Sequence, residues 1–219
     1  MKIQCLKEEL LNGLAPFASQ NGFKIIKKSF ELSKKTPNGD AKITFLHTFG
    51  VEDIKLQPFV EIRFRTIHEL CSQHGFHLNY TAFINLFVLE FVLKNKFDEN
   101  TQWKLALKGN DRFSIHSAKD IVETMDALKP MLSHALSYID NYSTMDSISR
   151  LYNSKPEDEY NPNCSGMDTH CIVGLIASKL SNDNYETIRE IYSDIVTKKD
   201  FQESTKQSFY SIRDYLDGV

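Results

Sequence analysis

Four side chains with affinity for metals recur at every third position between residues 68 and 77: His68, Cys71, His74 and His77, in the stretch HELCSQHGFH. On a helix, residues three apart are neighbours, so His68 with Cys71, or Cys71 with His74, could share a metal ion. The set as a whole does not converge. Each step of three falls about 60° short of a full helical turn, which places His77 opposite His68. Gly75-Phe76 also ends a helix before His77, so only a folded-back loop would join Cys71, His74 and His77. The spacing departs from the usual cysteine and histidine pairs of zinc sites. The stretch therefore reads as the turn out of a sheet strand, with Cys71 buried, the histidines at the surface or a helix cap, and no metal assigned.

Cys164, His170 and Cys171 form a second cluster. A thiol in the loop Cys164-Ser165-Gly166, ahead of a helix, would become a nucleophile if the helix N-terminus lowered its pKa and His170 served as base. His170 falls in the first helical turn, and no third residue is available to orient it. A loop thiol and a helix-face cysteine account for the same residues without catalysis. The acidic pairs Asp98-Glu99 and Glu157-Asp158-Glu159 lie in loops, where carboxylates are solvated; acid–base catalysis needs two carboxyls in one pocket with separated pKa values. No glycine-rich nucleotide loop, zinc-protease helix or nucleophile elbow occurs in the sequence.

Basic residues gather once, as Lys24, Lys27, Lys28, Lys34 and Lys35, with Phe23 and Phe30 interleaved. That pattern fits a single-stranded nucleic-acid platform, with rings for stacking and lysines for phosphates. It equally fits a solvated strand whose lysines guard a sheet edge. The chain carries a formal charge of −3, and extended phosphate contact needs a cationic surplus, so the second account is favoured.

The elements that must position these residues follow from periodicity. With 219 residues, 41% hydrophobic and 25% charged, the chain has material for a sizeable core. Ile3, Leu6, Leu10, Leu14 and Phe17 predict an opening helix over 3–19, stopped at Asn21-Gly22. The segments FKIIKKSFELSKK and AKITFLHTF flank Thr36-Pro37-Asn38-Gly39-Asp40, a strong turn between two strands. PFVEIRFRTI alternates with Val60, Ile62 and Phe64 on its apolar face, as in a half-buried strand. The run 82–93 is compatible with a fully covered strand or a buried helix. WKLAL (103–107) alternates like a strand, with RFSI (112–115) able to pair with it across Gly109-Asn110-Asp111.

From Ser117, capped through Asp120, the period becomes helical, and Pro130 predicts two helices meeting there. A short helix follows over 144–152, and then a polar loop over 154–166. Further helices are expected over 168–180, 184–196 (with Asp183 as cap) and 204–216. Strands kept apart from helices imply an α+β fold: an N-terminal helix, an antiparallel sheet, then a helical C-terminal half. The expected organisation is an α+β domain over 1–153 and a helical extension over 154–219, packed together as one globular unit.

Four irregularly placed cysteines argue against a disulfide framework. Glu8 and Glu9 interrupt the start where a secretory signal would be apolar, and no stretch is long enough to span a bilayer. A reduced, cytoplasmic protein without a membrane segment is the expectation.

The helix LKEELLNGLAPF followed by NGFKIIKKSFEL resembles the start of a bacterial domain-of-unknown-function family of small cytoplasmic α+β proteins. Gly22, Phe23, Lys24, Lys27, Lys28 and Phe30 carry the likeness. FVEIRF is similar to that family's inner strand. The segment from Trp103 to Tyr152 resembles its tryptophan-containing strand and following helices, so the likeness spans residues 3–153. The resemblance implies no catalytic site and no cofactor, and some such proteins are immunity or accessory proteins that bind a partner, often a toxin domain. On that footing the expected function is non-catalytic protein binding, with contact residues unassigned. The acidic loop Glu157-Asp158-Glu159 would steer a basic partner. The competing expectation is a nucleic-acid-binding protein or an enzyme using the hairpin lysines or the His/Cys clusters.

Overall fold

The computed structural model describes residues 3–49, 53–98 and 100–219 and has the α+β architecture expected, with an opening helix, a six-stranded antiparallel sheet and a helical C-terminal half. In chain order the sheet strands are β1 (Lys24–Ile26), β2 (Glu31–Thr36), β3 (Gly39–Phe49), β4 (Ile54–Phe64), β5 (Ala82–Asn85) and β6 (Phe113–Ile115). Strands β1 to β5 lie side by side in sequence order, and β6 joins the start of β4. Ile25 faces Leu32 between β1 and β2, and Ile54 faces Ile115 between β4 and β6. Along β4 the alternation works as the sequence implies: Val60, Ile62 and Phe64 are buried, while Glu61 and Arg63 are not.

Chain contacts divide the molecule into two compact units. The first contains α1 (Ile3–Gln20), β1, β6, most of β2, β3 and β4, α3 (Leu86–Leu93), α4 (Thr101–Leu107) and nearly all of α5 (Ala118–Asn141). Leu6, Leu10 and Leu14 recur every fourth residue along α1 and are buried. Phe17 stacks on Phe23, and Phe30 lies against Phe45 with ring centres 5.3 Å apart. Along α5, Ile121, Leu128, Leu132, Ala135 and Ile139 continue one buried face.

The second unit contains the 36–40 turn, the end of β4, α2 (Arg65–Gln73), the start of β5, α6 (Met145–Asn153), α7 (Met167–Ser181), α8 (Tyr185–Lys198) and α9 (Glu203–Asp217). Helix α7 is buried almost all round, from Thr169 to Ser178, and serves as its central rod. Helix α6 starts on a reciprocal cap, in which Thr144 and Ser147 exchange side-chain and backbone hydrogen bonds.

Several local expectations are corrected. WKLAL is helical, within α4, because Asp98 and Thr101 fold a helix start ahead of it: Asp98 N–H donates to Thr101 Oγ1 (2.8 Å), and Asn100 N–H to Asp98 Oδ1 (2.8 Å). RFSI supplies β6, which pairs with β4 and not with WKLAL. Residues 82–93 are strand and then helix. Asn85 makes the switch, its side chain accepting from Phe87 N–H at 2.8 Å as the N-cap of α3. Pro130 does not divide α5; the apolar face packs on both sides of it, and that burial outweighs one missing backbone bond. Asp183 accepts a hydrogen bond from Ser149, and Asn184, in the left-handed region at φ 50°, takes the N-cap position of α8.

Candidate functional site

Helix α2 leaves β4 directly, so HELCSQHGFH begins on a helix and runs into the turn beyond it. His68 and Cys71 face inward. The expectation of a surface His68 is corrected: the residue is 7% exposed and its Nε2 is buried without a partner. Burial, reinforced by the Arg63 charge, lowers its pKa to about 4, and burial pushes the Cys71 thiol up to about 12. His74 caps the helix C-terminus, and its ring bonds Ser211 at 2.8 Å and packs on Tyr215. Gly75, at φ +77°, ends the helix as its residue type predicts, and His77 turns to Asn79. The four side chains thus have separate environments, and among the described residues no three His, Cys, Asp or Glu side chains are grouped to hold a metal ion.

The second cluster is a buried scaffold. His170 Nε2 donates to the Tyr152 carbonyl at 2.6 Å, which fixes the tautomer and leaves Nδ1 bare, buried and unpartnered. Tyr192 Oη donates to the same carbonyl (3.2 Å) and to Asn153 Oδ1 (2.7 Å). Asn153 Nδ2 in turn reaches the Gly174 carbonyl and Ser149 Oγ, both at 3.0 Å. Burial lowers the His170 pKa and raises that of Tyr192. Cys164 Sγ donates to the carbonyls of Gly166 (3.4 Å) and Asn161 (3.6 Å). Burial and then the Asp168 charge hold that thiol up to about 12, the reverse of an activated nucleophile, and burial also raises the Cys171 thiol. His170 is engaged with a carbonyl and is not poised as the base of Cys164.

The hairpin lysines are distributed over β1 (Lys24), the turn after it (Lys27, Lys28) and β2 (Lys34, Lys35). The rings meant to accompany them are not available to bases: Phe23 and Phe30 are buried, and Lys34 lies over the Phe23 ring. In the acidic loop, Asp158 pairs with Lys155 and Glu159 with Lys199, so two of its three carboxylates are already engaged. Asp98 pairs with Lys104; Glu99 lies outside the described residues.

Two surface features were not legible from motifs. In the second unit, the faces of α2 (Thr66, Glu69, Leu70, Gln73) and the ends of α7 (Lys179, Leu180) and α9 (Tyr215, Leu216, Val219) enclose an open groove of about 450 Å³. Leu70 and Leu216 form buried parts of its lining, while Leu180, Tyr215 and Val219 are large apolar side chains left exposed around it. Glu69, Lys179, Gln73 and Thr66 supply polar groups. In the first unit, Trp103 and Leu107 stand on the outer side of α4. Three segments far apart in sequence build the groove, so no spacing rule finds it.

No helix of the described residues is long and apolar enough to cross a membrane. Comparison with known proteins finds no matching family model, no similar curated sequence and no similar solved structure.

Proposed function

We propose that this protein is a non-catalytic protein-binding module of the cytoplasm, in the manner of the bacterial immunity and accessory proteins that its N-terminal sequence resembles. The observation that carries the reading is the groove between α2, α7 and α9, where exposed Leu180, Tyr215 and Val219 surround buried Leu70 and Leu216. A concave surface of mixed apolar and polar lining is a form in which helical proteins take up an amphipathic segment of a partner, whose apolar and polar faces both find contacts. An aromatic residue beside aliphatic ones supplies the anchor contacts on which such interfaces depend. The raised thiol pKa values of Cys71 and Cys164, and the engagement of His170 with a backbone carbonyl, favour this reading over a nucleophilic enzyme.

The test is a tagged pull-down in physiological salt, run in parallel with the Leu180→Glu and Tyr215→Ala variants. One stoichiometric protein partner that both variants lose supports the reading. Retention of the partner by both variants, or a preparation that returns no partner, overturns the groove as its site.

A further inference from the structure

The ridge on α4 presents a different chemistry from the groove. Trp103 is 68% exposed and Leu107 is 80% exposed, and their spacing of four puts them on one side of the helix. Thr101 and Leu105 form the buried side. Leu93, at the end of α3, is also exposed. Side chains this far out project from the surface; they do not line a hollow. An isolated exposed leucine is ordinary, but a tryptophan and a leucine one turn apart, both largely in water, form a contiguous apolar projection.

Lysines lie close to this projection along the chain. The segment from Leu93 to Lys108 has four lysines, at 94, 96, 104 and 108, against Asp98 and Glu99, in a chain whose net charge is −3. All four lysines are exposed. Lys94 pairs with Glu90 and Lys104 with Asp98, while Lys96 and Lys108 have no acidic partner among the described residues. With Glu90 counted beside its partner Lys94, residues 90–108 hold four lysines against three carboxylates, a net charge of +1 in a chain whose net charge is −3.

We propose that the α4 ridge docks the protein peripherally on an anionic lipid surface. Tryptophan and leucine enter the boundary between headgroups and acyl chains, and lysines on the flanks meet the phosphates, their aliphatic stems covering apolar surface. A seven-residue helix cannot span a bilayer, so the contact is a surface one. Aliphatic Leu107 beside Trp103 distinguishes the ridge from a base-stacking platform, whose apolar contacts are rings.

Trp103 is the single tryptophan of the chain, so its emission reports this ridge alone. The experiment titrates the full chain with vesicles of equimolar phosphatidylcholine and phosphatidylglycerol, and with vesicles of phosphatidylcholine only, and follows emission and co-sedimentation. The anionic vesicles are expected to shift the emission to the blue and sediment the protein, with reversal by salt. Leu107→Ala weakens binding by roughly tenfold, and Lys96→Gln and Lys108→Gln by about fivefold each. Because these side chains are exposed, the variants keep the melting temperature of the parent. Absence of an emission shift with anionic vesicles overturns the proposal and leaves the ridge as a contact for a protein. An equal shift with neutral vesicles, or binding indifferent to Leu107→Ala, also overturns it.

Discussion

Gly174 of α7 lies directly beneath the Tyr192 hydroxyl of α8: a Cβ at position 174 would stand 2.5 Å from Tyr192 Oη and 2.6 Å from Asn153 Oδ1. Those two atoms are hydrogen-bonded to each other, and Asn153 also holds the Gly174 carbonyl. The glycine therefore sets how closely α7 approaches α6 and α8. Gly174→Ala forces a methyl group into a buried polar network that cannot move aside without breaking its bonds. The expected cost is about 2 to 4 kcal/mol, from overpacking together with a strained hydrogen bond. Urea denaturation of the variant measures it; a loss below about 0.5 kcal/mol would show that the helices separate freely.

The elements that local chemistry determines were readable in the sequence. Leucines every four residues along α1, the alternation of Val60, Ile62 and Phe64, the Asn38-Gly39 turn and the Ser117–Asp120 cap each lead to the structure observed. The misread segments are those in which two local signals compete. In WKLAL the alternation is real, yet Asp98 and Thr101 start a helix just upstream, and the helix divides the apolar residues into buried Leu105 and exposed Trp103 and Leu107. In 82–93 the apolar run conceals Asn85, whose capping side chain ends the strand and begins the helix.

Two buried histidines make the second unit sensitive to acid. Both His68 and His170 have a ring nitrogen buried without a partner, and burial lowers both pKa values, that of His68 to about 4. A lowered folded pKa means that the unfolded chain takes up the proton first. Stability is therefore full above about pH 6.5, the ordinary histidine value, and falls as the pH drops towards 4. For one such group the slope is at most about 1.4 kcal/mol per pH unit. Melting temperatures should decline steadily across this window, and His68→Gln and His170→Gln should each flatten the decline. An unchanged slope in both variants would assign acid sensitivity to other groups.

Candidate-site chemistry was less legible than the fold, because burial decides it. The spacing of His68, Cys71, His74 and His77 disfavours convergence, but nothing in it separates a buried His68 from an exposed His77. Likewise Cys164 precedes a helix, the position that lowers a thiol pKa, and its burial has the opposite and larger effect. Groove residues Leu70, Leu180 and Tyr215 belong to three helices, and only the packing of those helices around α7 brings them to one surface.

Thiol chemistry tests this balance directly. Cys5 is exposed, whereas Cys71 and Cys171 are buried and Cys164 is largely covered. Burial raises the pKa of all three covered thiols, so little thiolate exists near neutral pH. A disulfide reagent added to the folded protein should modify one thiol rapidly, and Cys5→Ser should remove that phase. Full reaction of the remaining thiols should follow only in denaturant. Rapid modification of Cys164 in the folded Cys5→Ser variant would restore the nucleophile reading.

Two glycines with different physical roles give the last prediction. At Gly39, after the β2–β3 turn, a Cβ would stand 1.9 Å from the Arg63 carbonyl oxygen, a backbone atom, while the neighbouring Asn38 carbonyl accepts from Arg65 N–H at 2.9 Å. No side-chain rotation relieves that overlap, so Gly39→Ala must displace the turn and should cost about 3 kcal/mol. At Gly22, beyond α1, φ is +72° and open space surrounds the Cβ position, so Gly22→Ala incurs only the left-handed backbone penalty, roughly 1 to 2 kcal/mol. Gly22→Asn should recover part of that loss, because asparagine tolerates the left-handed region, whereas Gly39→Asn should be no better than alanine. Chemical denaturation of the four variants checks the order. Equal losses at both positions, or rescue by asparagine at position 39, would show that conformation and not close approach selects glycine there.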